Sequence, residues 1–202
     1  MSLRFNNQID KNQWKAILLK EEHIPFFQTL EWGDIEERNC AHVDRFEIFD
    51  KEEMVGVMQI FEKNARRGHF LHVRHGPVIT KWTKNYSHDI ALFLKDLAKK
   101  RGAWFVRISP LISEGSQGIS YLKSNNFHPS PVYNIDAENR WVLPLASSEE
   151  EVLLAMRKTT RYMTRRGEKE NIEILSRENS ELFNKFQKIY IQTAQSKGFV
   201  PH

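Results

Sequence analysis

Apolar and polar positions change period several times along this chain, and each change marks an element. Residues 11–22 place their apolar groups at helical spacing and predict a helix. "PFFQTLEW" follows, with "EWGDIEERN" as a second helical piece. The period then drops to two. "RFEIFD" and "MVGVMQIFEKNA" read as strands, and the turn Asp50-Lys51-Glu52-Glu53 between them predicts a hairpin. "HFLHVRHGPVI" predicts a third strand. "SHDIALFLKDLAKKRG" predicts a helix that Ser87 caps and Gly102 ends, with Ile90, Leu94, Leu97 and Ala98 on one face. "AWFVRISPLI" predicts a buried strand stopped by Pro110, "SQGISYLKSNNF" a short helix, and "WVLPLA" another strand.

The pattern then restarts. "SSEEEVLLAMRKTTRYMTRRGEKE" predicts one long helix with Ser147 or Ser148 as its cap and acids in its first turn, where they suit the helix dipole. "NIEIL" predicts a strand and "ENSELFNKFQKIYIQTAQSKG" a helix closing on Gly198. The expected class is α/β (α+β), as two mixed-sheet domains in tandem, 1–138 and 139–202. The second has two predicted strands and two helices, and a two-stranded sheet is marginal alone. The expectation is that this domain is incomplete, through truncation of the chain or completion by a partner. An exposed sheet edge would then favour self-association.

Composition narrows the function classes. At 40% apolar and 28% charged, the chain has a globular balance, with no apolar run near the roughly 20 residues of a membrane span. The start carries no secretory pattern, and Cys40 is the single cysteine, which excludes an intrachain disulfide and a cysteine zinc site. The expected location is the cytoplasm. The net charge of +4 is mild and decides nothing until the charges are placed.

Three chemistries can be weighed. On a strand, Phe70, His72 and Arg74 share one face and His69, Leu71, Val73 and His75 the other. His69 and His75 would lie about 20 Å apart by strand rise, beyond chelating distance, and Arg74 would repel a cation beside His72, so no metal is expected. The order of three strands, a helix, a strand and a short helix fits an N-acetyltransferase-like (GNAT-type) layout. Its phosphate loop is normally glycine-rich, whereas "HGPVITKWTKNYS" has one glycine, and Pro77 lacks an N–H. Gly76-Pro77 then only turns the chain, and no cofactor is expected. There is no G-x-S-x-G, P-loop or G-x-G-x-x-G motif. The remaining concentration of charge is "MRKTTRYMTRRGEK". Arg157, Arg161 and Arg165 recur every four residues, Lys158, Arg166 and Lys169 widen the stripe, and Tyr162 is interleaved, with Met156, Thr159 and Met163 opposite. This is either a solvated face or a polyanion site.

"PFFQTLEWGDI", "GVMQIF", "VRHGPVI", "WVLPLASSEEEVLLAMRKTTRYMTRRGEKENIEI" and "IYIQTAQSKGFVPH" together resemble the Fem family of peptidoglycan-bridge aminoacyltransferases (methicillin-resistance-protein-like). The resemblance implies two tandem N-acetyltransferase-type folds. It implies transfer of an amino acid from aminoacyl-tRNA to the stem-peptide amine of a nucleotide- or lipid-linked peptidoglycan precursor. Arg157, Lys158, Arg161 and Arg165 would contact phosphates. Ser109, Tyr190 and Thr193 would line the acceptor cleft, although Tyr190 and Thr193 fit helix packing equally well. Two positions depart from the family pattern: Ser109 stands where an acid often precedes proline, and Glu36 where a base often follows the "EW" segment. Ser109 cannot act as a carboxylate base, and no catalytic residue is assigned. The alternatives are another N-acyltransferase on this fold, or a catalytically silent polyanion-binding module.

Overall fold

The computed structural model describes residues 2–39, 41–65, 68–113, 115–131, 136, 148–170, 172, 174 and 179–200. The chain divides into two compact units, residues 1–140 and 141–202.

The first unit is built on a mixed sheet. Strands β1 (Arg4–Asn6), β2 (Val43–Asp50), β3 (Glu53–Ala65) and β4 (Gly68–Val73) run antiparallel in spatial order, and β6 (Phe105–Ile108) lies parallel to β4. The two-residue strand β5 (Val78–Ile79) pairs back onto β3. Helices α1 (Lys11–Leu18), α2 (Leu30–Arg38), α3 (Lys84–Arg101) and α4 (Gln117–Ser124) complete the unit, with a 3-10 turn at Phe26–Gln28.

Period-two alternation gives the sheet two faces. On one, Met58, Ile60, Leu71 and Val73 pack against Ile90, Leu94 and Ala98 of α3. On the other, Val57 and Val78 pack against Trp14, Ile17 and Leu18 of α1. The helix α3 thus covers the larger core. Its N-cap is Thr83, whose Oγ1 accepts from Tyr86 N at 3.1 Å, rather than the expected Ser87, which is fully buried within the helix. Gly102 ends it at φ +67°, as expected.

The run 69–79 is two strands, not one. It breaks at Arg74–His75, where His75 takes φ +51°, and Gly76-Pro77 carries the chain to β5. The break leaves a gap beside β3, and Gln28 fills it. Phe61 of β3 registers with β4 and Val57 with β5, leaving Gln59 between them. Gln59 N donates to Gln28 Oε1 at 2.7 Å, and Gln28 Nε2 donates to Gln59 O at 3.0 Å and to Arg74 O at 2.7 Å. A side-chain amide here satisfies backbone groups that a neighbouring strand would otherwise satisfy. Trp14 Nε1 donates to Gln28 O at 2.8 Å and fixes the plug from behind. A Cβ at Gly76 would stand 2.6 Å from Gln28 Cδ, so this turn has room only for glycine.

The second unit contains α5 (Glu149–Ala155), α6 (Lys158–Lys169) and α7 (Ser180–Lys197). Ser148 and Glu151 form a capping box at the start of α5. The single helix expected over this stretch is therefore two. Met156 and Arg157 are extended, at ψ 156° and 146°. Arg161 explains the corner, since its Nη1 donates to Leu154 O at 2.6 Å and Met156 O at 2.5 Å and so satisfies carbonyls that the end of α5 leaves open. The helix α7 ends at Gly198 with φ +72°. The expected strand "WVLPLA" lies outside the described residues. Of "NIEIL", only Ile172 and Ile174 are described, both exposed and outside any strand.

Candidate functional site

The first unit gathers its polar chemistry where β4 and β6 end together. Alternation puts His72 and Arg74 on one face. The parallel register sets His72 beside Arg107 and Val73 beside Ile108, which brings Ser109 level with the end of β4. Ser109 N donates to Val73 O at 3.1 Å, and His75 N donates to Ser109 Oγ at 2.9 Å, closing the two strand ends.

Asp136 completes the cluster. Its Oδ2 accepts from Ser109 Oγ at 2.6 Å and His72 Nε2 at 3.1 Å, and its Oδ1 accepts from Arg74 Nε at 2.7 Å. Side-chain exposure is 8% at Asp136, 4% at His72 and 20% at Arg74. Burial pushes the Asp136 carboxyl up, but the hydrogen bonds from His72, Ser109 and Arg74 and the charge of His72 outweigh it. The carboxyl is held well below the usual carboxylate range. An ionised carboxylate only accepts, so His72 Nε2 carries a hydrogen. The Arg74 guanidinium lies 3.5 Å from the Phe27 ring centre, and the His75 ring is 4.4 Å from the same ring.

This arrangement orients groups rather than takes protons. A carboxylate with three donors on it is a weak base, and the Ser109 hydrogen is committed to Asp136. A carboxylate nonetheless stands at the position whose own residue, Ser109, lacks one. Asp136 was invisible to sequence reasoning because it lies 62 residues from Arg74 in a polar joint with no periodicity. Glu36, the second departure, pairs with Lys63 of β3 at 2.6 Å. His69 pairs with Glu62 at 2.9 Å, and among the described residues no three His, Cys, Asp or Glu side chains group as for a metal.

The second unit holds the basic residues. Arg157 is the N-cap of α6, in the corner, so of the four expected phosphate contacts Lys158, Arg161 and Arg165 lie on α6 itself. Arg161 uses Nη1 on the corner carbonyls, and Arg166 pairs with Glu170 at 2.6 Å. Lys158, Arg157 and Arg165 make no ion pair with a described residue. Met163, expected toward a core, is 59% exposed. On α7, Tyr190 lies 6.0 Å from the Phe186 and Phe199 rings, and Thr193 Oγ1 donates to Ile189 O at 2.7 Å. Ser109 belongs to the first unit, and Tyr190 and Thr193 to the second.

Antiparallel strands, a crossover helix and a parallel strand, with helices on both faces, define the N-acetyltransferase-type mixed sheet expected from the sequence. A family profile described as the FemAB family matches residues 18–202, and the chain belongs to that family. The crystal structure of FemX superposes with a TM-score of 0.70 at 16% identity, covering 100% of this chain and 52% of the FemX chain, so this chain spans about half of that protein's length. A probable acetyltransferase is similar at 12% identity, over 73% of this chain and 100% of its own, with a TM-score of 0.46. An aminoglycoside acetyltransferase from an uncultured soil metagenomic sample is similar at 17% identity, over 69% and 100%, with a TM-score of 0.44. A comparison with curated proteins finds no match. No helix among the described residues is long and apolar enough to cross a membrane.

Proposed function

We propose that this chain serves an aminoacyltransferase that moves an amino acid from aminoacyl-tRNA to the stem-peptide amine of a peptidoglycan precursor, the reaction of cell-wall bridge formation. The observation that carries this reading is the FemAB match over residues 18–202. The acyltransferase-type sheet supports it. In the reaction a neutral amine attacks the ester carbonyl. A C–N bond forms, the ester C–O bond to the ribose breaks, and the departing ribose oxygen takes the amine's proton. The ester is already activated, so positioning and oxyanion stabilisation carry most of the rate.

In this reading Arg157, Lys158, Arg161 and Arg165 contact phosphates of the tRNA or of a nucleotide- or lipid-linked precursor. Ser109 in the first unit, and Tyr190 and Thr193 in the second, are the acceptor-side residues of this reading, and Asp136 holds Ser109, His72 and Arg74 in place. Residues 139–202 open a second domain of the same type, self-association proceeds through it, and the reaction is cytoplasmic. The test is a transfer assay with charged tRNAs and purified precursor, read by mass spectrometry. A precursor heavier by one amino-acid residue is expected. Transfer from an acyl thioester in place of the tRNA ester would instead place the chain among other N-acyltransferases, and no transfer with any charged tRNA would reject the reading.

A further inference from the structure

A hollow of about 640 Å³ lies where α3 passes the start of β6 and the end of α4. Its centre is apolar and open: Trp104 is 75% exposed, Leu92 50% and Phe105 40%. Single exposed apolar side chains are ordinary, whereas three in one concave patch mark a contact surface. Trp104 is also held in place. Its main-chain N donates to His69 O at 2.8 Å, and its ring rests on Gly68, where a Cβ would stand 2.6 Å from Cε3. The rim is cationic. His88, Leu92, Lys95 and Lys99 follow one another at three- or four-residue spacing along one stripe of α3, and no acid lines the hollow among the described residues. Lys95 and Lys99 are exposed, repel each other at this spacing and make no ion pair with a described residue. The amides and hydroxyl of the α4 end are already committed. Asn125 Oδ1 lies 3.1 Å from His88 Nδ1, Asn125 Nδ2 donates to Tyr121 O at 2.9 Å, and Ser124 Oγ donates to the same carbonyl at 2.8 Å.

We propose that this hollow docks an acidic segment of another protein. An apolar side chain of the partner seats against Trp104 and Leu92, and carboxylates beside it meet Lys95 and Lys99. An aromatic anchor inside a charged rim is the usual anatomy of a protein contact. Charge complementarity selects the partner's sign, because cations without acids favour an anionic surface and repel a basic one. The committed amides select a protein segment over a nucleic acid. A base stacked on Trp104 would bring donor and acceptor edges that Asn125 and Ser124 do not serve, whereas an aliphatic or aromatic side chain needs no such partner. This inference goes beyond the transfer reaction and does not require it.

The test is selection of a random-peptide display library on the 202-residue protein, followed by calorimetry with a synthetic peptide of the enriched sequence. Enriched peptides should carry an aromatic or aliphatic residue flanked by Asp or Glu, and bind one-to-one in the micromolar range. Replacing the peptide's acids by their amides should weaken binding at least about tenfold, and added salt should weaken it further. Trp104→Ala and Lys95→Glu, both at exposed positions, should each weaken binding by about tenfold or more. Circular dichroism identifies a variant that fails to fold, and Lys95→Glu keeps the test valid if Trp104→Ala does. No enrichment, enrichment of peptides without acids, or binding unchanged by Lys95→Glu overturns the proposal. Displacement of the peptide by a short oligouridylate also overturns it, in favour of a nucleic-acid surface.

Discussion

Asp136→Asn removes one charge and few atoms, and the first unit should feel it strongly. The carboxylate holds Ser109 at 2.6 Å, Arg74 at 2.7 Å and His72 at 3.1 Å, at only 8% exposure. An asparagine at this position keeps one acceptor oxygen and puts an NH₂ donor against one of these three donors. Breaking a buried ion pair costs about 3–5 kcal/mol, because the remaining charge keeps its desolvation penalty. Arg74 is one-fifth exposed and rests on Phe27, so part of its charge stays screened. The lower end, about 3 kcal/mol, is expected, or roughly 10 °C in melting temperature for a unit of this size. Denaturant titration of parent and variant, with equal slopes, reads the difference directly. Acid titration supplies a second signature. The folded carboxyl sits below an unfolded aspartate, whose pKa is about 3.9. The stability linked to it is complete above about pH 4 and drains as pH falls from there toward the depressed folded value. The variant should lack this portion of acid sensitivity. A variant within about 0.5 kcal/mol of the parent, with an unchanged acid profile, would refute the assignment of a structural ion cluster.

Leu94 is buried in the α3 core, and Leu94→Ala should cost about 2–5 kcal/mol by denaturant titration; a loss below 1 kcal/mol would contradict the packing described. A Cβ at Gly56 would collide with the Val78 carbonyl, so Gly56→Ala should destabilise the first unit and lower its melting temperature, and an unchanged melt would argue against the β3–β5 pairing. Arg165→Ala should lower the log–log salt slope of RNA binding by about 0.7–0.9 without changing helicity, whereas Arg161→Ala should lower the slope and also reduce helicity in circular dichroism; identical behaviour of the pair would separate Arg161 from the corner. Calorimetry with acetyl-CoA should show no binding, since Pro77 and a single glycine replace the phosphate loop, and a micromolar dissociation constant would sink this.

Elements with both a period and a cap could be read from the chain. The helix α3 carries an apolar stripe and a terminal glycine, and both ends of the hairpin β2–β3 are marked by alternation. Other features failed for definable reasons. Arg4–Asn6 is too short for any period to show. Ser87 and Thr83 are equally good caps by residue type, and only burial of Ser87 separates them. The break at His75 falls inside the stretch that reads as one strand, because it depends on a positive φ and on Gln28, 47 residues earlier. The corner at Met156–Arg157 falls within a continuous helical pattern and is held by a guanidinium four residues on. Arginine spacing described the charge of α6 but gave no sign that Arg161 also donates from Nη1 to the Leu154 and Met156 carbonyls. Asp136 shows the general limit: a cluster assembled from residues 72, 74, 109 and 136 has no local signal.

Gln28 has a consequence for how this chain can vary. Its amide stands in for a length of peptide, so the loop at 74–77 leaves the sheet without exposing Gln59. Position 28 and the loop therefore behave as one inheritable unit. A loop with any side chain at 76 would evict the amide, and an apolar residue at 28 would leave three main-chain groups, Gln59 N, Gln59 O and Arg74 O, without that partner. Neither change can be sampled first without loss, so designed libraries of this fold should vary 28 and 74–77 jointly, and single-site scans will report both as immutable.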